Sequence, residues 1–217
     1  KTSNDPGIYF APKQQLNSFV VPLSVTSIQK EFFYGWEQLK EVEIHGAISS
    51  LDTIFKDNKC LTKLTCGSNN VLSLFYHYTK YETSATDSTL TETGDDNFYV
   101  VKHKPYRGSD FYYYLIPNNL TEVHLLNDIG SHCFYNMTSL KKVYLQNDIT
   151  TFGQGAFAGC SGLTNVYFST DSDWKYEISY YTTTDTGIVS KSDMNNSITL
   201  ANQLKAHNGY DCYWKKV

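Results

Sequence analysis

The stretch from Ile149 to Phe168, ITTFGQGAFAGCSGLTNVYF, decides the fold, because its layout recurs elsewhere in the chain. VTSIQKEFFYGWEQLKEVEIH, from Val25, and DIGSHCFYNMTSLKKVYL, from Asp128, share its template. Around it a leucine column reads Leu16, Leu39, Leu61, Leu120, Leu140 and Leu163, with gaps of 23, 22, 59, 20 and 23 residues. Three residues after each leucine stands Phe19, Val42, Leu64, Val123, Val143 or Val166, and two further on Val21, Ile44, Cys66, Leu125, Leu145 or Phe168. This alternation predicts one short strand per repeat, with every second side chain inward. A second apolar stretch begins at Val25, Ile48, Val71 and Ile149 and leads to Phe33, Phe55, Phe134 and Phe157, in segments too brief for a stable helix. Single helical turns are expected there. A coil of about 20–23 residues cannot bury both faces alone, so like columns must stack on their neighbours. The expected fold is a repeat solenoid, mainly β, with a parallel sheet on one side and short helical turns on the other.

At these residues the chain resembles the BspA-like leucine-rich repeat family, whose units read roughly IxxIGxxAFxxCxxLxxVxIP. The resemblance covers about residues 16–169 with one interruption, and the tail SITLANQLKAHNGYDCYWKKV is similar to the closing segment often found after such repeats. It implies a leucine-rich repeat solenoid that is secreted or on the cell surface in host-associated bacteria or protozoa, engaged in adhesion or ligand binding rather than catalysis. The chain departs from the family pattern in one column: Cys160 stands in the family cysteine position, but Trp36, Asn58 and Met137 share it, and Cys133 sits in the alanine column.

The organisation expected is an N-terminal extension or cap at 1–15, a solenoid at 16–169 with an aromatic insert at about 75–116, and a C-terminal capping segment at 170–217. The insert fills the 59-residue gap. It holds eight of the 18 tyrosines together with Phe75, Phe98 and Phe111, and NFYVVKH and FYYYLIP flank KPYRGSD as the two strands of a β-hairpin. Two readings stand. The aromatics form a private mini-core that holds the hairpin to the solenoid, or Tyr99, Tyr112 and Tyr114 face water as a binding platform. The ladder columns lie outside the insert, so its deletion is expected to leave a folded solenoid. In the tail, Ile198 to His207 reads as a short amphipathic helix capped by Asn196 or Ser197, followed by a strand at YDCYWKK.

The outward strand positions form two rows. One is Ser18, Glu41, Lys63, Glu122, Lys142 and Asn165; the other is Val20, Glu43, Thr65, His124, Tyr144 and Tyr167. In the first, Glu41 faces Lys63 and Glu122 faces Lys142. In the second, His124, Tyr144 and Tyr167 fall on successive rungs and make a small candidate binding strip.

Composition narrows the function. The 217 residues are 41% hydrophobic and only 18% charged, which argues against a disordered tail or a coiled coil. With 18 basic against 22 acidic residues, a net charge of −4 and Arg107 as the only arginine, no nucleic-acid partner is expected. No apolar run approaches the roughly 20 residues of a membrane span. The first residues, KTSNDPG, are neither a signal peptide nor a start methionine, so the chain reads as trimmed or processed. Five cysteines lack zinc-site spacing and cannot all pair, so they are expected as buried thiols. No nucleophile with a base, phosphate loop or metal-ligand spacing is present, so no catalytic or metal site and no cofactor is expected. A glycan-processing enzyme would need paired carboxylates that cannot be nominated. The leading expectation is a monomeric binding or adhesion module for a protein, peptide or glycan, using the sheet face, the aromatic insert or both. The alternative is a structural spacer supporting a functional domain elsewhere.

Overall fold

The computed structural model describes residues 15–46, 48, 51–68, 70–81, 89–90, 95–104, 110–180, 183–207 and 212–217; the rest of the N-terminal extension, and PYRGS between Lys104 and Asp110, lie outside them. Strands β1 (Ser18–Val21), β2 (Glu41–Ile44) and β3 (Lys63–Cys66) are parallel neighbours. After a 3-10 turn at Leu72–Leu74 the chain enters the insert, β4 (His77–Tyr81), β5 (Thr89–Leu90), β6 (Phe98–His103) and β7 (Asp110–Pro117). It returns through β8 (Glu122–Leu125), β9 (Lys142–Leu145), a short β10 (Thr151–Phe152) on the opposite side, and β11 (Asn165–Tyr167). The main sheet runs β1-β2-β3-β8-β9-β11, all parallel. Strand β3 pairs directly with β8, Lys63 with Glu122 through Cys66 with Leu125, so the 59-residue gap costs the sheet no rung.

The columns are the core. Leu39, Leu61, Leu120, Leu140 and Leu163, and beside them Val42, Leu64, Val123, Val143 and Val166, are all 0% exposed. On the opposite side the phenylalanines stack, Phe33 on Phe55 at 5.1 Å between ring centroids and Phe134 on Phe157 at 5.1 Å. The structure adds a member, since Phe75 stacks on Phe55 at 5.5 Å and therefore belongs to the ladder rather than to the insert.

Left-handed backbone brackets this ladder. Two residues before the phenylalanine, Glu31, Thr53, His132 and Gly155 have positive φ, and two residues after it Gly35, Asp57, Asn136 and Gly159 do the same. Each pair folds the chain tightly around one ring. In the third coil Phe75 has an extended backbone instead (φ −93°, ψ 154°), and this sends the chain out into the insert. Coils approach closely at Gly153 and Gly162, where a Cβ would stand 2.4 Å from the backbone of Gly130 and Ser131 and 2.2 Å from the Thr138 carbonyl oxygen.

The mixed cysteine column has a shared task. The Cys160 thiol donates to the Phe134 carbonyl (2.9 Å), and one coil set earlier Asn58 Nδ2 donates to the Phe33 carbonyl (2.8 Å). Either donor satisfies a buried carbonyl, so cysteine and asparagine substitute for each other there. All five cysteines are free thiols. Burial pushes Cys66 and Cys160 up to about 12, and Cys133 higher still.

The insert is more than a hairpin. Strands β6 and β7 pair antiparallel, and β4 and β5 flank them in a sheet of order β4-β7-β6-β5. One face, with Tyr99, Val101, Tyr114 and Ile116, merges with the solenoid core. The other gathers Val100, Phe111 and Tyr113 into a small cluster, with Tyr78 stacked on Tyr113 at 5.0 Å and Lys102 over the Phe111 ring at 4.3 Å. Deleting residues 76–116 would therefore strip the solenoid core of buried side chains. The expectation that a folded solenoid survives the cut is corrected on this ground.

Beyond β11 the chain forms β12 (Trp174–Tyr180), β13 (Thr183–Val189), α1 (Lys191–Met194), α2 (Ser197–Ala206) and β14 (Cys212–Lys216). Asn196 caps α2 by accepting from Thr199 N–H. These strands join β10 in an antiparallel sheet, β10-β14-β12-β13. Trp174, Met194, Leu200, Leu204 and Trp214 enter the common core and close the last coil. A solenoid end left open would put those columns in water.

Candidate functional site

The outer face of the parallel sheet is built by register. His124 pairs with Tyr144 and Tyr144 with Tyr167 on adjacent strands. Parallel strands lie about 4.8 Å apart, so side chains in one row on one face must meet ring to ring. They do: His124 and Tyr144 stack at 4.1 Å and 19°, Tyr144 and Tyr167 at 4.4 Å and 11°. The inner ring, Tyr144, is held on both sides. Tyr167, at the end, is 38% exposed.

Charges flank this stack. His124 Nε2 lies 2.8 Å from Glu122 Oε1, and Lys63 Nζ lies 3.8 Å from the same oxygen. Register does place Glu41 opposite Lys63 and Glu122 opposite Lys142, yet the Glu122 carboxylate turns toward Lys63 and His124. Burial, then the Glu122 charge, raises the Tyr144 hydroxyl above its ordinary value. At the sheet rim His45 sits 2.7 Å from Glu43 and, by that hydrogen bond, lowers the Glu43 carboxyl.

Two depressions border the face. Past Tyr167 lies a cleft of about 360 Å³, lined by Tyr144, Asn147, Tyr167 and Ser169 from the last coils and by Asn195 and Ser197 from the cap. Across the carboxyl ends of β2, β3 and β8 lies a notch of about 560 Å³, with Gly67 beside His45, Leu51, Leu126 and Gln146. No sequence signal marked either one, because both arise where neighbouring coils or the cap leave a step.

The insert tyrosines fall elsewhere. Tyr99 is 5% exposed with its hydroxyl bonded to Ser139 at 3.1 Å, and Tyr114 is 9% exposed; burial pushes both hydroxyls up to about 12. Tyr112 is half-buried, 6.2 Å from Tyr114 and 5.6 Å from His77 between centroids. An exposed platform of Tyr99, Tyr112 and Tyr114 is thus corrected: their face of the hairpin is the one applied to the solenoid, because it carries the apolar surface that must leave water. The structure brings together His124, Tyr144 and Tyr167 and keeps the insert tyrosines apart from them.

Among the described residues no cluster of three His, Cys, Asp or Glu side chains is placed to hold a metal ion, and no helix is long and apolar enough to cross a membrane. Residues 8–105 and 108–205 match the BspA type leucine rich repeat region, in six copies. No curated protein and no solved structure gives a match. Repeat regions of this type are associated with adhesion or protein interaction, typically form non-catalytic solenoids, and are typically extracellular or surface-associated. With that match spanning most of its length and a parallel sheet whose rows follow the repeat rung by rung, the chain belongs to the BspA type leucine-rich repeat family.

Proposed function

We propose that this chain is a non-catalytic binding or adhesion module of the cell surface, taking a protein, peptide or glycan along His124, Tyr144 and Tyr167 on the outer face of its sheet. The observation that carries this reading is the in-register ring stack on a face that is otherwise charged and polar except at Val20. Rings fixed by strand register have little rotamer freedom left to lose, which lowers the cost of binding. Tyrosine adds a flat apolar surface with a hydroxyl at its edge, the chemistry found at binding hot spots. The test is a screen of protein, peptide and glycan arrays with the wild type and with Tyr144→Ser/Tyr167→Ser. A module binds one class and the double variant loses it; a chain that binds nothing is the spacer.

A further inference from the structure

From the cleft at the cap end of this stack we infer a site for a neutral sugar ring, with the exposed end of Tyr167 as its platform. The inference rests on the sheet-face reading and names the ligand of its last rung. Strand β11 ends the sheet, so Tyr167 has a stacked neighbour on one side only, Tyr144 at 4.4 Å. Where a seventh strand would lie, the cap touches β11 two residues before the ring: Asn165 Nδ2 donates to Ser197 Oγ at 3.1 Å. Beside that contact lies the 360 Å³ cleft, between Tyr167 and the cap residues Asn195 and Ser197. Its far wall is firm, because the Asn195 amide accepts from Thr170 N–H (2.8 Å) and donates to the Thr170 carbonyl (2.9 Å).

The lining selects the ligand. Every side chain lining the cleft is uncharged: the rings of Tyr144 and Tyr167, the apolar Leu145 and Phe168, and the hydroxyls and amides of Ser169, Ser197, Asn147 and Asn195. A cation laid on Tyr167 would give up water with no carboxylate to replace it. A sulfate, phosphate or carboxylate would find no lysine or arginine. A wholly apolar ring would cover Ser169 and Asn147 without bonding them. A pyranose satisfies all of these constraints, with C–H bonds on its face against the tyrosine ring and hydroxyls around its edge toward the serines and Asn147. The cleft lies at the small end of the roughly 300–1,000 Å³ range of ligand sites, which suits one ring of a glycan rather than a segment of folded protein.

The experiment uses immobilised neutral trisaccharides of glucose, galactose and mannose, their sulfated and sialylated counterparts, and a peptide array, each probed with wild type, Tyr167→Ala, Ser169→Trp and Tyr144→Ser/Tyr167→Ser. Both single changes are at exposed positions, so unchanged melting temperatures are required of them. The expected result is binding to a neutral trisaccharide that weakens about tenfold or more in Tyr167→Ala and is lost in Ser169→Trp, where the indole fills the cleft. Binding confined to charged glycans or peptides, lost in the double variant and indifferent to Ser169→Trp, would overturn the sugar site and leave the sheet-face reading standing. Binding that none of the variants alters would overturn both.

Discussion

Acidification should weaken the seam between insert and solenoid at His103. Its ring, at the end of β6, packs 4.9 Å from His132 and 5.2 Å from Tyr135, both on the solenoid. Burial, and then the His132 charge, hold its pKa down to about 4 against an ordinary 6.5. The unfolded chain therefore takes a proton that the folded chain refuses, and in that window stability must fall as pH falls. The contribution is whole above pH 6.5 and gone near pH 4. At 1.36 kcal/mol for each tenfold change in proton affinity, the loss approaches about 3 kcal/mol. The assay is urea denaturation at pH 7.5, 6, 5 and 4 for the wild type and for His103→Phe, which keeps an aromatic ring and cannot titrate. Carboxylates elsewhere titrate in both proteins and cancel in the difference. Between pH 7.5 and 4 the wild type should lose about 3 kcal/mol more than the variant. Parallel losses would refute the reasoning, since His103 would then titrate alike in both states.

Further outcomes follow from burial. Phe157→Ala removes a ring 4% exposed from the ladder and should cost about 3–5 kcal/mol in chemical denaturation, whereas Lys142→Ala, exposed on the sheet face, should change stability by less than about 1 kcal/mol. Ile116→Ala, at 0% exposure on β7, should cost about 2–5 kcal/mol, and a neutral effect would mean the insert is a mere appendage. Reductant should leave the melting temperature unchanged because the cysteines are free thiols; a fall of several degrees would reveal a bridge worth about 2–4 kcal/mol.

The columns were legible because a repeat is a translation: each rung imposes the same inside and outside on the next. The rows read from sequence, Ser18 to Asn165 and Val20 to Tyr167, are the register partners in the sheet. The boundary of the insert is legible too, and it falls after Phe75 rather than before it. Phe75 follows Leu61 at the 14-residue distance at which Phe134 follows Leu120, a match hidden by the aromatic crowd that begins there. The β12–β13 hairpin also left a trace, with Trp174, Tyr176 and Ile178 alternating with Lys175 and Glu177 ahead of a run of threonines in the sequence. The fate of the insert tyrosines was not legible. Alternation assigns Tyr112 and Tyr114 to one face of the hairpin, but only the docking of that face onto the solenoid, through Tyr99, Val101 and Ile116, decides whether it meets water. The cleft beside Tyr167 depends on where α2 sits against β11, a tertiary fact carried by no local pattern.

The most direct test of the sheet-face claim compares tyrosines of the stack with exposed tyrosines off it. The ligand class returned by the arrays is titrated calorimetrically into the wild type, Tyr144→Ser/Tyr167→Ser, and Tyr34→Ser/Tyr78→Ser, whose rings are 50% and 44% exposed away from that row. The account predicts that affinity falls at least about tenfold in the first variant and stays at the wild-type value in the second, with both proteins folded. Equal loss in the two, or loss only in the second, would contradict it.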